Sequence, residues 1–409
     1  MNTERLRALA EHEIRDPVGG TVSRPLGDNR TVDIAYTRPH RRTDRPPVVL
    51  LPGGPGLASV LPYRVLRRRA VRRELDVIMM EHRGVGLSRR DTEGVDLPVE
   101  AVTVEAAADD LAAVLDHEGV DRAVVYGSSY GSYLAAVFGV RHPDRVTGMV
   151  LDSPVLSASD VDTVRAHRRR LLWHGESRTA ALLRELLESG RAPMDEAGHV
   201  VQVTYEFAGP ATVERLLEAR MRGHALRTWR RLASLGAKEI AGEGIPLMLD
   251  IDLVAGITHG VLGYGAEPDG LPLDPQAMFA EAAAKGPAFT GDTVDLPRAL
   301  GEFPWPAAVV SGGRDLRTPR PIAERAVSLL PDAVLVELPE NGHSALDTHQ
   351  LAALHVAHHL VEGNLHGLTR HAPRIAELPR RGSSASLGPL IVAALAAELA
   401  ADRVTRRRC

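Results

Sequence analysis

The sequence predicts an α/β protein: a mostly parallel, doubly wound sheet interrupted by a block of inserted helices. Three observations carry that reading. Short, almost wholly apolar runs such as "VVLL", "DVIMM" and "RAVV" alternate with segments of helical period in the first 155 residues. Strands that are apolar on both sides belong to a sheet covered on both faces, which is the habit of parallel sheets. From about 156 to 304 the alternation stops and helical patterns such as "RTAALLRELLES" take over. It resumes with "PAAVVSGGRD" (306–315) and "AVLVELPE" (333–340).

In chain order, a charged, helix-like start precedes two extended segments, around 20–25 and 31–38, with the turn signal "GDNR" between them. "VVLLPGGPG" then reads as a buried strand running into a glycine-rich loop, and "DVIMM" (76–80) as the next strand. A helix over 103–118 follows, with Thr103 as its cap and apolar residues every three or four positions. After it come the strand "RAVVYG", a helix over 131–141 and the strand "TGMVLDSP" (147–154). The expected organisation is a core in two parts, 1–155 and 305–365, a helical cap over 156–304, and a tail over 366–409. In that tail "RRGSSAS" (380–386) reads as a flexible connector and 387–401 as a docked helix; a further helix covers roughly 347–362.

Composition excludes several function classes. With 44% apolar and 25% charged residues in 409 positions, the chain can bury a sizeable core. A net charge of −4 gives no electrostatic footprint for nucleic acid or a membrane surface. Lys238 and Lys285 are the only lysines among 49 basic residues, so the arginine excess is scattered rather than patterned. Runs such as "RRR" at 67–69 and 168–170 read as solvated helix faces. The single cysteine, Cys409, rules out an intrachain disulfide and a thiolate metal site. The first residues lack the apolar stretch of a signal peptide, and no apolar run reaches the ~20 residues of a membrane span, which points to the cytoplasm. No cofactor or metal is expected.

The chemistry starts at "YGSSYGS" (126–132). Gly127, Ser129 and Gly131 fit G-x-S-x-G between a strand and a helix, where the chain must turn so sharply that a serine is left exposed at the tip. Ser129 is the nucleophile on this reading, and Ser128 is not. A serine hydroxyl needs a base, and the base needs an orienting acid. His343 follows the last strand and Asp315 the one before it, in the chain order serine, acid, histidine. Asp152 also follows a strand and is the rival acid; Asp315 is preferred because Asp152 could cap the entry to the insertion. Oxyanion donors are expected from the N–H of Tyr130 and from the loop "PGGPG", where Gly53 and Gly54 permit close approach.

With these segments placed, the chain resembles an α/β-hydrolase of the proline iminopeptidase and tripeptidyl aminopeptidase family. "GGPG" (53–56), "RGVGLS" (83–88), "GSSYGS" (127–132), "GGRDLRTP" (312–319) and "GHS" (342–344) match that family's motifs in order. The stretch 108–154 is especially similar to the tripeptidyl aminopeptidase branch, as is Pro52, where proline iminopeptidases usually carry His. The resemblance implies nucleophile Ser129, acid Asp315, base His343 and oxyanion donors at Tyr130 and Gly54. "EHRG" (81–84) departs from the family's usual Asp–Gln or Asp–Pro before Arg-Gly. Proline iminopeptidases hold the substrate's free amino terminus with acidic cap residues; Glu206, Glu214, Glu218 and others are offered here, and no motif selects one. The expected function is a serine hydrolase acting through an acyl-enzyme on a small molecule or short peptide. Exo-aminopeptidase activity is the first reading, and an esterase, lactonase or thioesterase the second. A non-catalytic binding protein is the third. Oligomeric state is not legible.

Overall fold

Eight strands form one sheet in the order β1-β2-β4-β3-β5-β6-β7-β8 in a computed structural model that describes residues 3–406 apart from 28, 43, 237–239, 242 and 382–383. The strands are β1 (Gly19–Pro25), β2 (Thr31–Thr37), β3 (Val48–Leu51), β4 (Val77–Met80), β5 (Ala123–Ser128), β6 (Val146–Asp152), β7 (Ala307–Gly312) and β8 (Ala333–Leu338). β1 and β2 pair antiparallel, as do β2 and β4; every other pairing is parallel. The predicted class is therefore the observed one.

Side-chain alternation explains why the strands read as continuous apolar runs. Val49 and Leu51 of β3 face one apolar cluster, while Val48 and Leu50 face another. The first cluster joins the sheet to α3 (Val104–His117) and α4 (Tyr130–Arg141); the second joins it to α2 (Arg64–Val71) and a later helix, Gln350–Val361. Helix α1 spans Thr3–Glu13. Thr103 caps α3 as predicted, its hydroxyl accepting the Ala106 N–H at 3.1 Å.

Among the described residues, β6 is followed by α5 (Asp160–Leu172), α6 (Arg178–Glu188), α7 (Met194–Ala208), α8 (Pro210–Met221) and α9 (Leu226–Ala233). They enclose a third apolar cluster, which includes Leu183, Val200, Leu217 and Trp229. Leu253, Val254, Ile257, Leu296 and Leu300 join the first cluster, on the sheet. The last helix, Leu387–Arg406, docks on the helical region: Ile391 and Leu395 are buried in the third cluster. Glu398 accepts the N–H groups of Arg227 and Thr228 at 2.8 Å each, satisfying donors at the start of α9. Of the connector "RRGSSAS", residues 382 and 383 lie outside the described residues, as does Cys409. No described helix is long and apolar enough to cross a membrane.

Candidate active site

Ser129 links β5 to α4 with φ 54° and ψ −124°, a backbone conformation that costs an L-residue about 1–3 kcal/mol and persists only where its surroundings impose it. Both flanking glycines are required, each by a carbonyl. A Cβ on Gly127 would lie 2.0 Å from the Gly131 oxygen, and one on Gly131 would lie 2.1 Å from the Leu51 oxygen. The turn is pinned by the Ser129 N–H donating to the Asp152 carbonyl at 2.8 Å. Among the described residues no hydrogen bond engages the Ser129 hydroxyl, which is half-buried. The glycine loop lies against it: a Cβ on Gly53 would approach the Ser129 Cβ to 3.0 Å. Gly54 sits at φ 121°, a conformation glycine adopts without strain.

Asp315 and His343, on the loops after β7 and β8, meet directly, with Nδ1 donating to Oδ2 at 2.9 Å. Asp315 is buried, yet its carboxylate is fully occupied. Oδ1 accepts the N–H groups of Arg317 and Thr318 at 2.8 and 3.0 Å, and Oδ2 accepts the Thr318 hydroxyl at 3.0 Å. Burial pulls its pKa upward, but the His343 charge and these hydrogen bonds outweigh it and hold the carboxyl at about 2. The same balance acts on His343: burial depresses its pKa, and the Asp315 charge and hydrogen bond raise it above the ordinary value. Nδ1 is committed to Asp315, so Nε2 is the nitrogen left for proton transfer. The described residues place no hydrogen bond between that ring and Ser129, a bond that often forms only with substrate bound.

Asp152, the rival acid, has a different task. It accepts the N–H groups of Ala345 and Leu346 at 3.0 and 2.8 Å and the Tyr126 hydroxyl at 3.0 Å. It caps the short helix Ala345–Thr348 that follows His343, rather than the entry to the helical region. Burial pushes its pKa up to about 6. The Ser344 N–H donates to the Ser153 hydroxyl at 2.9 Å, so the end of β6 holds the histidine loop twice over. The helix predicted over 347–362 arrives as two pieces, 345–348 and 350–361, broken where His349 takes φ −141° and ψ 56°.

The side chain of Tyr130 is buried and donates to Nε2 of His82 at 2.8 Å, while His82 Nδ1 donates to the Arg83 carbonyl at 2.6 Å. Burial lowers the His82 pKa to about 4, which keeps the ring neutral and able to accept. The residue that departs from the family pattern thus fastens the first turn of α4. From the other side, Asp250 N–H donates to the Gly56 carbonyl at 2.9 Å and Ala58 N–H to the Met248 carbonyl at 3.0 Å, strapping the glycine loop.

The arginine runs correct the sequence reading. Arg67 and Arg168 are buried, not solvated. Arg67 donates to the carbonyls of Ser59 and Val60 at 2.7 and 2.6 Å. Arg168 donates to the Leu316 carbonyl at 2.6 Å and to Gln202 at 2.6 Å, gripping the acid loop from α5. Burial lowers both guanidinium pKa values to about 10. The signal was present: Val164, Arg168 and Leu172 recur at the four-residue spacing of one buried helix face.

The three acidic candidates also separate. Glu214 accepts the Thr179 hydroxyl at 3.0 Å, and Glu218 is ion-paired with Arg178, so both serve the contact between α6 and α8. Glu206, buried on α7, lies at the acid and histidine loops. It accepts the Leu316 N–H at 3.3 Å and Arg317 Nε at 3.2 Å, and a Cβ on Gly342 would come within 2.9 Å of its own Cβ.

Residues 46–185 match a family model described as the alpha/beta hydrolase fold. A probable proline iminopeptidase of Leptolyngbya boryana is 24% identical over 75% of this chain and 84% of its own length. A proline iminopeptidase of Lactobacillus helveticus is 31% identical, but over 29% of this chain and 39% of its own length. Among solved structures, a proline iminopeptidase of Mycobacterium smegmatis matches with a TM-score of 0.50 at 19% identity, covering 85% of this chain and 99% of that one. The strand order, the strained turn at Ser129 and these matches show that the chain has the α/β-hydrolase fold, and in sequence it is similar to proline iminopeptidases.

Proposed function

We propose that the protein is a serine hydrolase with Ser129 as nucleophile, His343 as general base and Asp315 as the acid that orients it. The observation that carries this reading is the 2.9 Å bond from His343 Nδ1 to a fully hydrogen-bonded Asp315, on loops beside a serine held at φ 54°. The Ser129 Oγ bonds to the substrate carbonyl carbon as its proton passes to His343 Nε2. The oxyanion is held by the N–H groups of Tyr130 and Gly54. Collapse breaks the bond to the leaving group, which takes the proton from His343, and water then hydrolyses the acyl-enzyme through the same histidine.

Removal of an N-terminal residue or short peptide is the leading activity, supported by relatives named proline iminopeptidases. A second reading, an esterase, lactonase or thioesterase, is favoured by one specific observation. Glu206, Glu214 and Glu218 already have partners, and Glu206, which lies at the acid and histidine loops, is neutralised by Arg317.

The test compares hydrolysis of free-amine and N-acetylated aminoacyl and tripeptidyl anilides by wild type and Ser129→Ala, with fluorophosphonate labelling in parallel. The expected result is labelling at Ser129 and cleavage confined to free-amine substrates. Labelling without cleavage of either anilide class moves the assignment to esters or lactones. Absence of labelling at Ser129 overturns the hydrolase reading itself.

A further inference from the structure

Arg317 lies two residues beyond Asp315 and is tied to it through its backbone N–H at 2.8 Å. Its Nε donates to Glu206 Oε2 at 3.2 Å, and the two partners of that pair differ sharply in accessibility. Only 1% of the Glu206 side chain is accessible, against 46% for Arg317. Among the described residues no other hydrogen bond or ion pair engages the guanidinium, so both Nη groups are open. Its backbone is bonded to Asp315 of the core and its side chain to Glu206 of α7, so the group stands where the acid loop meets the helical region.

An arginine fork with free Nη groups matches a planar carboxylate through two parallel hydrogen bonds. Its position selects the half of the substrate it would meet. In acyl transfer the leaving atom takes its proton from the histidine, and so departs on the histidine side. Arg317 is joined by its backbone to the carboxylate that holds that same ring. We infer that Arg317 recognises a carboxylate on the leaving half of the substrate, beside the scissile bond. The inference rests on the serine-hydrolase reading and narrows it. For a peptide the group is the C-terminal carboxylate of a departing single residue, which makes dipeptides the preferred class. For an ester it is a carboxylate carried by the alcohol.

Two measurements test this. The first is protection of Ser129 from a fluorophosphonate by benzoate and by its uncharged analogue benzamide. Benzoate should slow labelling of wild type and benzamide should not; Arg317→Gln should lose the difference and Arg317→Lys should keep part of it. Because Arg317→Gln leaves a buried Glu206 without its cation, the double variant Glu206→Gln/Arg317→Gln is measured beside it and should also lose the difference. Equal protection by the two compounds, or protection by neither, overturns the inference. So does an undiminished benzoate effect in both variants. The second measurement compares Ala-Ala with its C-terminal amide. Wild type should favour the free acid in kcat/KM by about tenfold or more, mainly through KM, and Arg317→Gln should bring the ratio near one. Selective benzoate protection with neither peptide cleaved supports the anion site and counts against the peptidase reading alone. If Ser129 does not label, calorimetric binding of benzoate against benzamide to wild type and Arg317→Gln gives the same decision.

Discussion

Ser128, one residue before the candidate nucleophile, donates its hydroxyl hydrogen to Ser344, one residue after the candidate base, across 2.7 Å. Ser344 passes the chain on, donating to Asp347 Oδ2 at 2.6 Å. Two strands, β6 and β7, separate β5 from β8 in the sheet, so this bond joins the end of β5 to the loop after β8, which do not pair directly.

Removal of that bond should loosen the geometry more than the fold. Ser128→Ala and Ser344→Ala should each lower kcat several-fold with little change in KM. A double-mutant cycle in urea should give a coupling near 1 kcal/mol. Additive losses in the cycle would mean that the two hydroxyls act separately.

The pH profile follows from the Asp315–His343 pair. With the His343 pKa raised above 6.5, the acid limb of kcat/KM should lie at or above that value. In Asp315→Asn the charge that offsets burial is gone, so the limb should move to lower pH while kcat falls by about 10³–10⁴-fold. Stability should respond in the matching directions. The raised His343 contributes stability that is fully present below pH 6.5 and is lost as pH rises through its folded pKa. Asp315 contributes above its ordinary value of 3.8 and loses that contribution as pH falls toward 2. Denaturant midpoints from pH 2 to 9 read both limbs.

The two aspartates should fail differently. Asp152→Asn turns an amide toward two N–H donors and should cost about 1–3 kcal/mol of stability, with activity reduced but measurable. Asp315→Asn should lose activity first. Turnover and thermal midpoint measured on the same preparations separate them.

Neighbouring arginines in one run should also part company. Arg168→Met leaves the Leu316 carbonyl and Gln202 without their donor and should cost about 1–3 kcal/mol while slowing turnover. Arg170→Met, on the exposed face, should change stability by no more than about 0.5 kcal/mol.

The sheet and the candidate triad were legible because both depend on local pattern. A strand covered on both faces must be apolar at every position, and the tight turn at Ser129 leaves no room for a Cβ at Gly127 or Gly131. What escaped the sequence depends on partners far apart in the chain. Arg168 meets Leu316 from another element, and a run of three arginines hides which one faces inward. Asp152 and Asp315 both follow strands, and only the docking of the histidine loop shows that the first caps a helix while the second binds the ring. Arg317 carries no local mark, since its pairing with Glu206 is created when α7 packs against the acid loop.

The docking of Leu387–Arg406 on the helical region also sets an order of events during synthesis. The helices from α5 to α9 leave the ribosome well before Ile391 and Leu395, the residues that complete their apolar cluster. Until that last segment is made, this cluster is incomplete, while every described strand has already been synthesised. Such transiently uncovered apolar surface is where nascent chains associate wrongly. A chain stalled on the ribosome before residue 387 would therefore carry its strands beside a helical cluster still lacking Ile391 and Leu395.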